Sequence, residues 1–409
     1  MTTRIARPDY EERLLPYLDT EDIKVLIGVR RSGKSTLLQA LASAAAARDG
    51  KDNAILIRLD GFDMPLEPTA EWLKERIQAA LDKADSSRIT HVFLDEVQEV
   101  PAWEKVVRQL RTRERTDVWI TGSNAFVLSS DLSTLIGGRY IELKVSPLSF
   151  KEYLSFSKAR HTQEQSVEAL FARYLKYGGM PGQFDAPTES DEYVENMLTA
   201  IYETIILNDV ATHGGISDID LLEKLVRYVF VTSGNLFSTR SIANYLTSAG
   251  RKTSANTVDN YLRALEGAFI VSRCEQAGIS GKQVLRPQYK LYPVDTGLRS
   301  LMSGFSPQDL GFQLECVVYN ELVRRGYTTS VGTLRSGEVD FVASKRTGEK
   351  TYLQVTESLA DEATYQRELA PLDMIGDSFP KVVLTLDRYR CGVTPSGVRI
   401  VNLLDWLLY

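Results

Sequence analysis

The segment Gly28-Val29-Arg30-Arg31-Ser32-Gly33-Lys34-Ser35 constrains this chain more than any other. It satisfies the pattern G-x-x-x-x-G-K-[ST], in which each fixed position has a mechanical reason. Gly28 and Gly33 lack the Cβ that would keep backbone N–H groups from closing around phosphate oxygens. Lys34 brings a point charge to the β- and γ-phosphates of a nucleotide, and Ser35 a hydroxyl ligand for Mg2+. The flanks agree with this. Ile23 to Ile27 reads as a strand entering the loop, and Thr36 to Ala42 as a helix leaving it, its positive end toward the anion. The predicted nucleotide-binding set is therefore Gly28, Val29, Arg30, Arg31, Ser32, Gly33, Lys34, Ser35 and Thr36. A plain glycine turn with a surface lysine leaves both flanks unexplained.

A triphosphate site also needs groups for the metal and the water. Thr90 to Leu94 is a short apolar run of the kind buried on both faces of a parallel sheet, and it ends in Asp95-Glu96. The carboxyl end of such a strand meets the nucleotide. Asp95 is the candidate partner of Ser35 in the Mg2+ shell, and Glu96 the candidate for orienting and deprotonating the attacking water. A third strand, Asp117 to Thr121, runs into Gly122-Ser123-Asn124, whose polar groups are candidates to sense the γ-phosphate. Asn124 is counted with the catalytic set. Gly137-Gly138-Arg139 offers a guanidinium to the transition state, from the same chain or from a neighbouring subunit. An ordinary turn and a solvated arginine are the alternatives at these two places.

Together the stretches GVRRSGKSTLL (28–38), FLDEVQEVPAWEKVVRQLR (93–111), ITGSNAFVLSSDLSTLIGGRY (120–140) and SPLSFKEYL (146–154) resemble the prokaryotic AAA-superfamily ATPases that carry a C-terminal domain of unknown function. YLKYGGMPG (174–182), YETIILNDV (202–210), KLYPVDTGLRS (290–300), GFQLECVVYNELVRRGY (311–327) and GEVDFVA (337–343) continue the resemblance along nearly the whole chain. It implies ATP as the nucleotide, ATPase chemistry with Mg2+, and a helical lid beside the nucleotide.

Composition narrows the setting. A chain of 409 residues has room for two to four domains at ~150 residues each. The N-terminus carries charges throughout and no apolar core of a secretory signal, and no apolar run reaches the ~18 residues that cross a bilayer. Cys274, Cys316 and Cys391 lie far apart, as do the three histidines, so no zinc site or disulfide is expected. These features predict a cytoplasmic protein with reduced thiols and no membrane segment. The net charge is −6, yet residues 219–290 hold ten Lys and Arg against five Asp and Glu. An acidic body with one basic segment points to a partner for that segment.

The expected organisation is α/β. A P-loop AAA-type core occupies 1–150, a helical lid 151–217, a winged-helix domain 218–300, and an α/β domain resembling restriction nucleases 301–409. In the winged helix, Leu221 to Val231, Ser238 to Leu246 and the segment from Ser254 form three helices, followed by a strand at Phe269 and a wing tip near Gly278 to Lys282. Arg240, Arg251, Lys252, Asn256, Asn260 and Arg263 are the candidate DNA contacts, with protein contact as the alternative use of such a domain. In the last domain, Glu315 and Asp340 stand at acidic positions of the PD-(D/E)XK nuclease pattern. Gln354 and Thr356 occupy the places of an acid and a lysine. A neutral amide loses the charge that holds a hard cation, and threonine has no ammonium, so this site is expected to be inactive.

Three functions follow for testing: an ATPase coupled to DNA binding or remodelling, with a homo-oligomeric ring on duplex or branched DNA as one form of it; an ATP-gated protein-assembly switch or scaffold; and an ATP-licensed nuclease, against which Gln354 and Thr356 count.

Overall fold

A computed structural model describes residues 4–122, 139–160, 165–186, 188–212, 214–278, 288–334 and 337–409. The chain divides into two compact units. The first contains Met1–Pro147, Ile205–His213 and Gly267–Phe269; the second contains Leu148–Thr204, Gly214–Glu266 and Ile270–Tyr409.

In the first unit, α1 (Pro8–Leu14) leads to β1 (Ile23–Ile27), α2 (Lys34–Asp49), β2 (Ala54–Arg58), α3 (Ala70–Leu81), β3 (Thr90–Asp95), α4 (Trp103–Arg111), β4 (Thr116–Gly122) and β5 (Tyr140–Lys144). The strands form one parallel sheet in the order β2-β3-β4-β1-β5. β1, β3 and β4 are apolar on both faces because both faces are covered. Val25, Val92, Leu94 and Ile120 meet Leu73 and Ile77 of α3 and Val106, Val107 and Leu110 of α4. Leu26, Phe93 and Trp119 meet α1 and α2 on the other face. The helical spacing of Trp103, Val106, Val107 and Leu110 thus does what its period predicts. A π-helix, Ile205–Thr212, belongs to this unit although the sequence reading assigned it to the lid.

The second unit contains α5 (Phe150–Arg160), α6 (Val167–Tyr177), α7 (Asp191–Thr204), α8 (Ile219–Val231), α9 (Thr239–Ser248), α10 (Ala255–Gly267), β6 (Val271–Gly278) and β7 (Tyr289–Pro293). α11 (Thr296–Ser303), α12 (Leu310–Arg324), β8 (Thr328–Thr333), β9 (Glu338–Ser344), β10 (Lys350–Thr356), α13 (Glu362–Asp373), β11 (Lys381–Thr385), β12 (Gly392–Val393), β13 (Arg399–Asn402) and α14 (Leu403–Leu408) complete it. α9 starts where the sequence placed it: Ser238 and Ser241 form a reciprocal capping box. The strands form one mixed sheet, β12-β13-β11-β10-β9-β8-β6-β7. The sequence reading put a boundary between 300 and 301, but one sheet runs through it, because β6 pairs in parallel with β8 from Gln276 to Gly278. Among the described residues no helix is long and apolar enough to cross a membrane.

Candidate functional site

The loop between β1 and α2 is shaped by its glycines. Gly28 has φ +145°, and a Cβ there would lie 2.1 Å from the Val145 carbonyl oxygen, so no other residue fits between the loop and the segment after β5. Gly33 is left-handed at φ 98° and caps α2, whose first turn begins at Lys34 with its N–H groups unspent on the helix. Arg31 is also left-handed, at φ 67°, a strained setting for a residue with a Cβ. From behind, the buried Arg7 donates Nη1 to Ser32 O at 2.9 Å and Nη2 to Ser146 O at 3.0 Å, bracing the loop.

Lys34 is buried, and its ammonium folds back onto Gly28 O at 2.9 Å and Val29 O at 3.2 Å. Burial pushes its pKa down, opposed chiefly by the charge of Glu96. The Ser32 hydroxyl is buried and has no hydrogen-bond partner among the described residues. An ammonium that, among the described residues, is held only by neutral carbonyls, and an orphaned hydroxyl, both at a helix N-terminus, fit a phosphate group. Val29 is buried, Arg31 and Thr36 are exposed, and Ser35 is half-buried.

The metal-binding candidates are adjacent. Ser35 Oγ donates to Asp95 Oδ1 at 3.0 Å. Thr121 Oγ1, at the end of β4, donates to the same oxygen at 2.7 Å and accepts the backbone N–H of Glu96 at 2.8 Å. Burial raises the pKa of Asp95, and the two hydroxyl donors oppose it. A hydroxyl and a carboxylate are the hard oxygen donors that Mg2+ takes. Glu96 follows in a left-handed conformation, φ 57° and ψ 55°, which turns it off the line of β3, and Gln98 donates to its carboxylate. A carboxylate held in a sparsely populated backbone region at a strand end is the kind of strain that marks a working residue.

Two further catalytic candidates fare differently. Ser123 and Asn124, with Gly137 and Gly138, lie outside the described residues. Arg139 is exposed at the start of β5, and its carbonyl accepts Ile23 N–H at 3.2 Å. Since Tyr140 registers with Ile23 and Lys144 with Ile27, Arg139 stands at the end of the sheet opposite the loop, about 13 Å of strand away. Parallel pairing thus carries Arg139 of this chain to the edge of the sheet away from its own phosphate loop.

Thr121, Arg7 and Asp209 escaped the sequence reading. Arg30 Nε and Nη2 donate to the two oxygens of Asp209 at 3.0 and 2.9 Å, across 179 residues of sequence. The available signal was a charge inside the apolar run Ile205 to Val210, where an acid is buried only with a partner.

In the second unit, α10 presents Asn256, Asn260 and Arg263 exposed at positions i, i+4 and i+7, and Arg240 and Lys252 are exposed nearby in sequence. Arg251 is tied to Asp218 and Asp220 at the start of α8, and Arg263 pairs with Asp259 at 2.9 Å. The expected wing tip falls mostly outside the described residues.

The carboxylates of the last domain surround a lysine. Lys290 Nζ, on β7, lies 3.2 Å from Glu315, 2.7 Å from Glu338 and 3.6 Å from Asp340. Tyr292 donates to Glu315 at 3.0 Å, and Val355 N–H to Asp340 at 2.9 Å. Gln354 accepts the Asp340 N–H at 3.3 Å, and Thr356 turns to Ser358 O at 3.4 Å, away from the cluster. The sequence reading brought Glu315 and Asp340 together but missed Lys290, a charge within the fully buried strand Tyr289–Pro293.

The AAA domain family matches residues 20–154, and a domain of unknown function (DUF8612) matches residues 168–309. An uncharacterised protein of Haemophilus influenzae is 36% identical over 406 residues, 99% of this chain and 98% of that protein. An uncharacterised protein of Methanocaldococcus jannaschii is 28% identical over 90% of this chain and 80% of its own length. The Walker-type ATPase of Pyrococcus abyssi is similar in fold, with TM-score 0.48 and 16% identity over 73% of this chain and 95% of that one.

Proposed function

This chain is an ATPase with an AAA domain, of one family with the Haemophilus influenzae protein, and we propose that it couples Mg2+-dependent ATP hydrolysis to the binding or remodelling of DNA. Lys34 and the loop N–H groups receive the β- and γ-phosphates. Ser35 and Asp95 hold Mg2+, which when bound draws charge from the phosphate oxygens. Glu96 accepts the proton of the attacking water, and its turned backbone and the Thr121 hydroxyl keep it in place.

One observation carries the coupling to DNA. Asn256, Asn260 and Arg263 line one exposed face of α10, the third of three helices followed by the antiparallel pair β6–β7, the order of a winged helix. Amides and guanidinium groups on such a helix read base edges and phosphates. The excess of Lys and Arg over residues 219–290 favours the same partner. The helix–strand order around Glu315, Asp340 and Gln354 supports a nuclease-like scaffold, and Lys290 among its carboxylates favours an inactive one. Assembly into a ring of identical subunits belongs to the same proposal.

The test is ATP hydrolysis without DNA and with duplex, single-stranded and four-way-junction DNA, at low and physiological salt. Stimulation by one DNA form, screened by salt, is expected. Glu96→Gln is expected to keep ATP binding and lose ~100-fold or more of turnover in every arm. Turnover indifferent to every DNA, with no DNA bound, overturns the coupling and leaves an ATP-gated protein-assembly switch.

A further inference from the structure

The phosphate loop holds an arginine whose use the motif does not explain. Arg30 is the third residue of the loop, and its side chain is 27% exposed while that of Asp209 is 1% exposed. The bidentate pair therefore has its open side at Arg30. It consumes two of the five guanidinium donors, and among the described residues Nη1 makes no hydrogen bond. The fork geometry fixes the plane of the guanidinium as no single contact would.

The pair also lies within the electrostatic reach of the catalytic groups. The charges of Arg30 and Asp209 both act on the Lys34 ammonium, and those of Glu96 and Glu99 act on Arg30. Asp209 sits on the π-helix Ile205–Thr212, and the widened turns of such helices occur frequently at functional sites because they re-aim side chains. A buried acid on a rare helix, grasping a loop arginine beside the nucleotide lysine, is more than an ion pair that stabilises a surface.

We propose that Asp209 is a positioning residue for ATP turnover, which holds the Arg30 guanidinium so that its free donors engage the terminal phosphate. Arg30 then supplies from within the phosphate loop the charge that the sequence reading sought at Arg139. A guanidinium fixed in advance needs no reorganisation as charge develops on the transferring phosphoryl group. The carboxylate behind it also tempers the positive charge of the loop, which already carries Lys34 and Arg31.

The test compares Asp209→Asn with the unaltered protein in steady-state ATP hydrolysis, and in binding of ADP and of a non-hydrolysable ATP analogue. The expected result is a ~10- to 100-fold fall in kcat with KM for ATP within about threefold. The preference for the ATP analogue over ADP is also expected to shrink, because only the analogue carries the phosphate that Arg30 engages. Asp209→Glu restores part of kcat. Arg30→Lys keeps the charge and loses the fork, so it reproduces the kcat loss even where Asp209→Asn folds poorly. A raised kcat in Asp209→Asn, or equal weakening of both nucleotides with kcat unchanged, overturns the proposal.

Discussion

Lys34 and Lys290 are equally buried, each 3% exposed, and their surroundings are opposite. Lys34 touches two backbone carbonyls, and burial lowers its pKa. Lys290 is ringed by Glu315, Glu338 and Asp340, and their charges raise its pKa although burial opposes them. A buried ammonium with only neutral partners keeps its charge available, and an arriving polyanion completes its pairing. An ammonium already facing three carboxylates has nothing left to offer a ligand. The same side chain is thus receptive in one place and satisfied in the other.

The sharpest way to break this contrast is to remove Lys34. Lys34→Ala is expected to abolish measurable nucleotide binding, read by titration with a fluorescent ATP analogue, because Lys34 is the charge set between the β- and γ-phosphates and the proposed Arg30 contact reaches only the terminal one. The fold is expected to survive, since the lysine's partners are carbonyls that water can satisfy. Retained affinity would mean that the remaining groups of the loop bind the phosphates and that the buried charge of Lys34 is incidental.

The mirror-image substitution acts on stability instead. Lys290→Met leaves three partly buried carboxylates without their counterion, and removing one partner of such a group costs about 3–5 kcal/mol. Denaturant unfolding monitored in the second unit measures it. Burial already raises the pKa of Glu315 and of Asp340, each opposed by Lys290, so losing the lysine raises both further. An acid whose folded pKa lies above its unfolded value favours folding below the unfolded pKa, and that contribution is lost as pH rises through the folded value. The deficit of Lys290→Met is therefore expected to shrink as pH falls toward the unfolded carboxylate range near ~4. A deficit independent of pH would show that packing, rather than charge, is what Lys290 contributes.

What the sequence disclosed follows the same division. The phosphate loop and Asp95-Glu96 were legible because each is contiguous, so the chemistry sits in adjacent letters whatever the fold does. Thr121 was less legible, since a hydroxyl at a strand end becomes a partner of Asp95 only once β4 lies between β3 and β1. Asp209 and Lys290 were invisible to spacing. Their partners are Arg30, 179 residues away, and carboxylates drawn from one helix and one strand. Both nevertheless broke an apolar run, and a charge inside a run that reads as core is the trace that a long-range ion pair leaves in a sequence. The π-helix escaped because its widened turns need tertiary packing that no local pattern encodes.

The smallest effect is expected where the sequence placed a catalytic arginine. Arg139 stands at the far end of the sheet from Lys34, exposed, so on its own chain it adds nothing to the charge that makes the Lys34 site receptive. Arg139→Ala should leave turnover within about twofold at protein concentrations where the chain is monomeric, the range of a surface substitution away from the chemistry. The comparison of the two lysines then holds within one chain. If turnover per chain instead rises with protein concentration, and that rise vanishes in Arg139→Ala, the arginine acts on a neighbour's phosphates. Mixing Arg139→Ala with Lys34→Ala decides this directly. The first supplies an intact loop and the second an intact arginine, so activity recovered in the mixture belongs to a site shared between chains, and the Lys34 pocket would be complete only in the assembly.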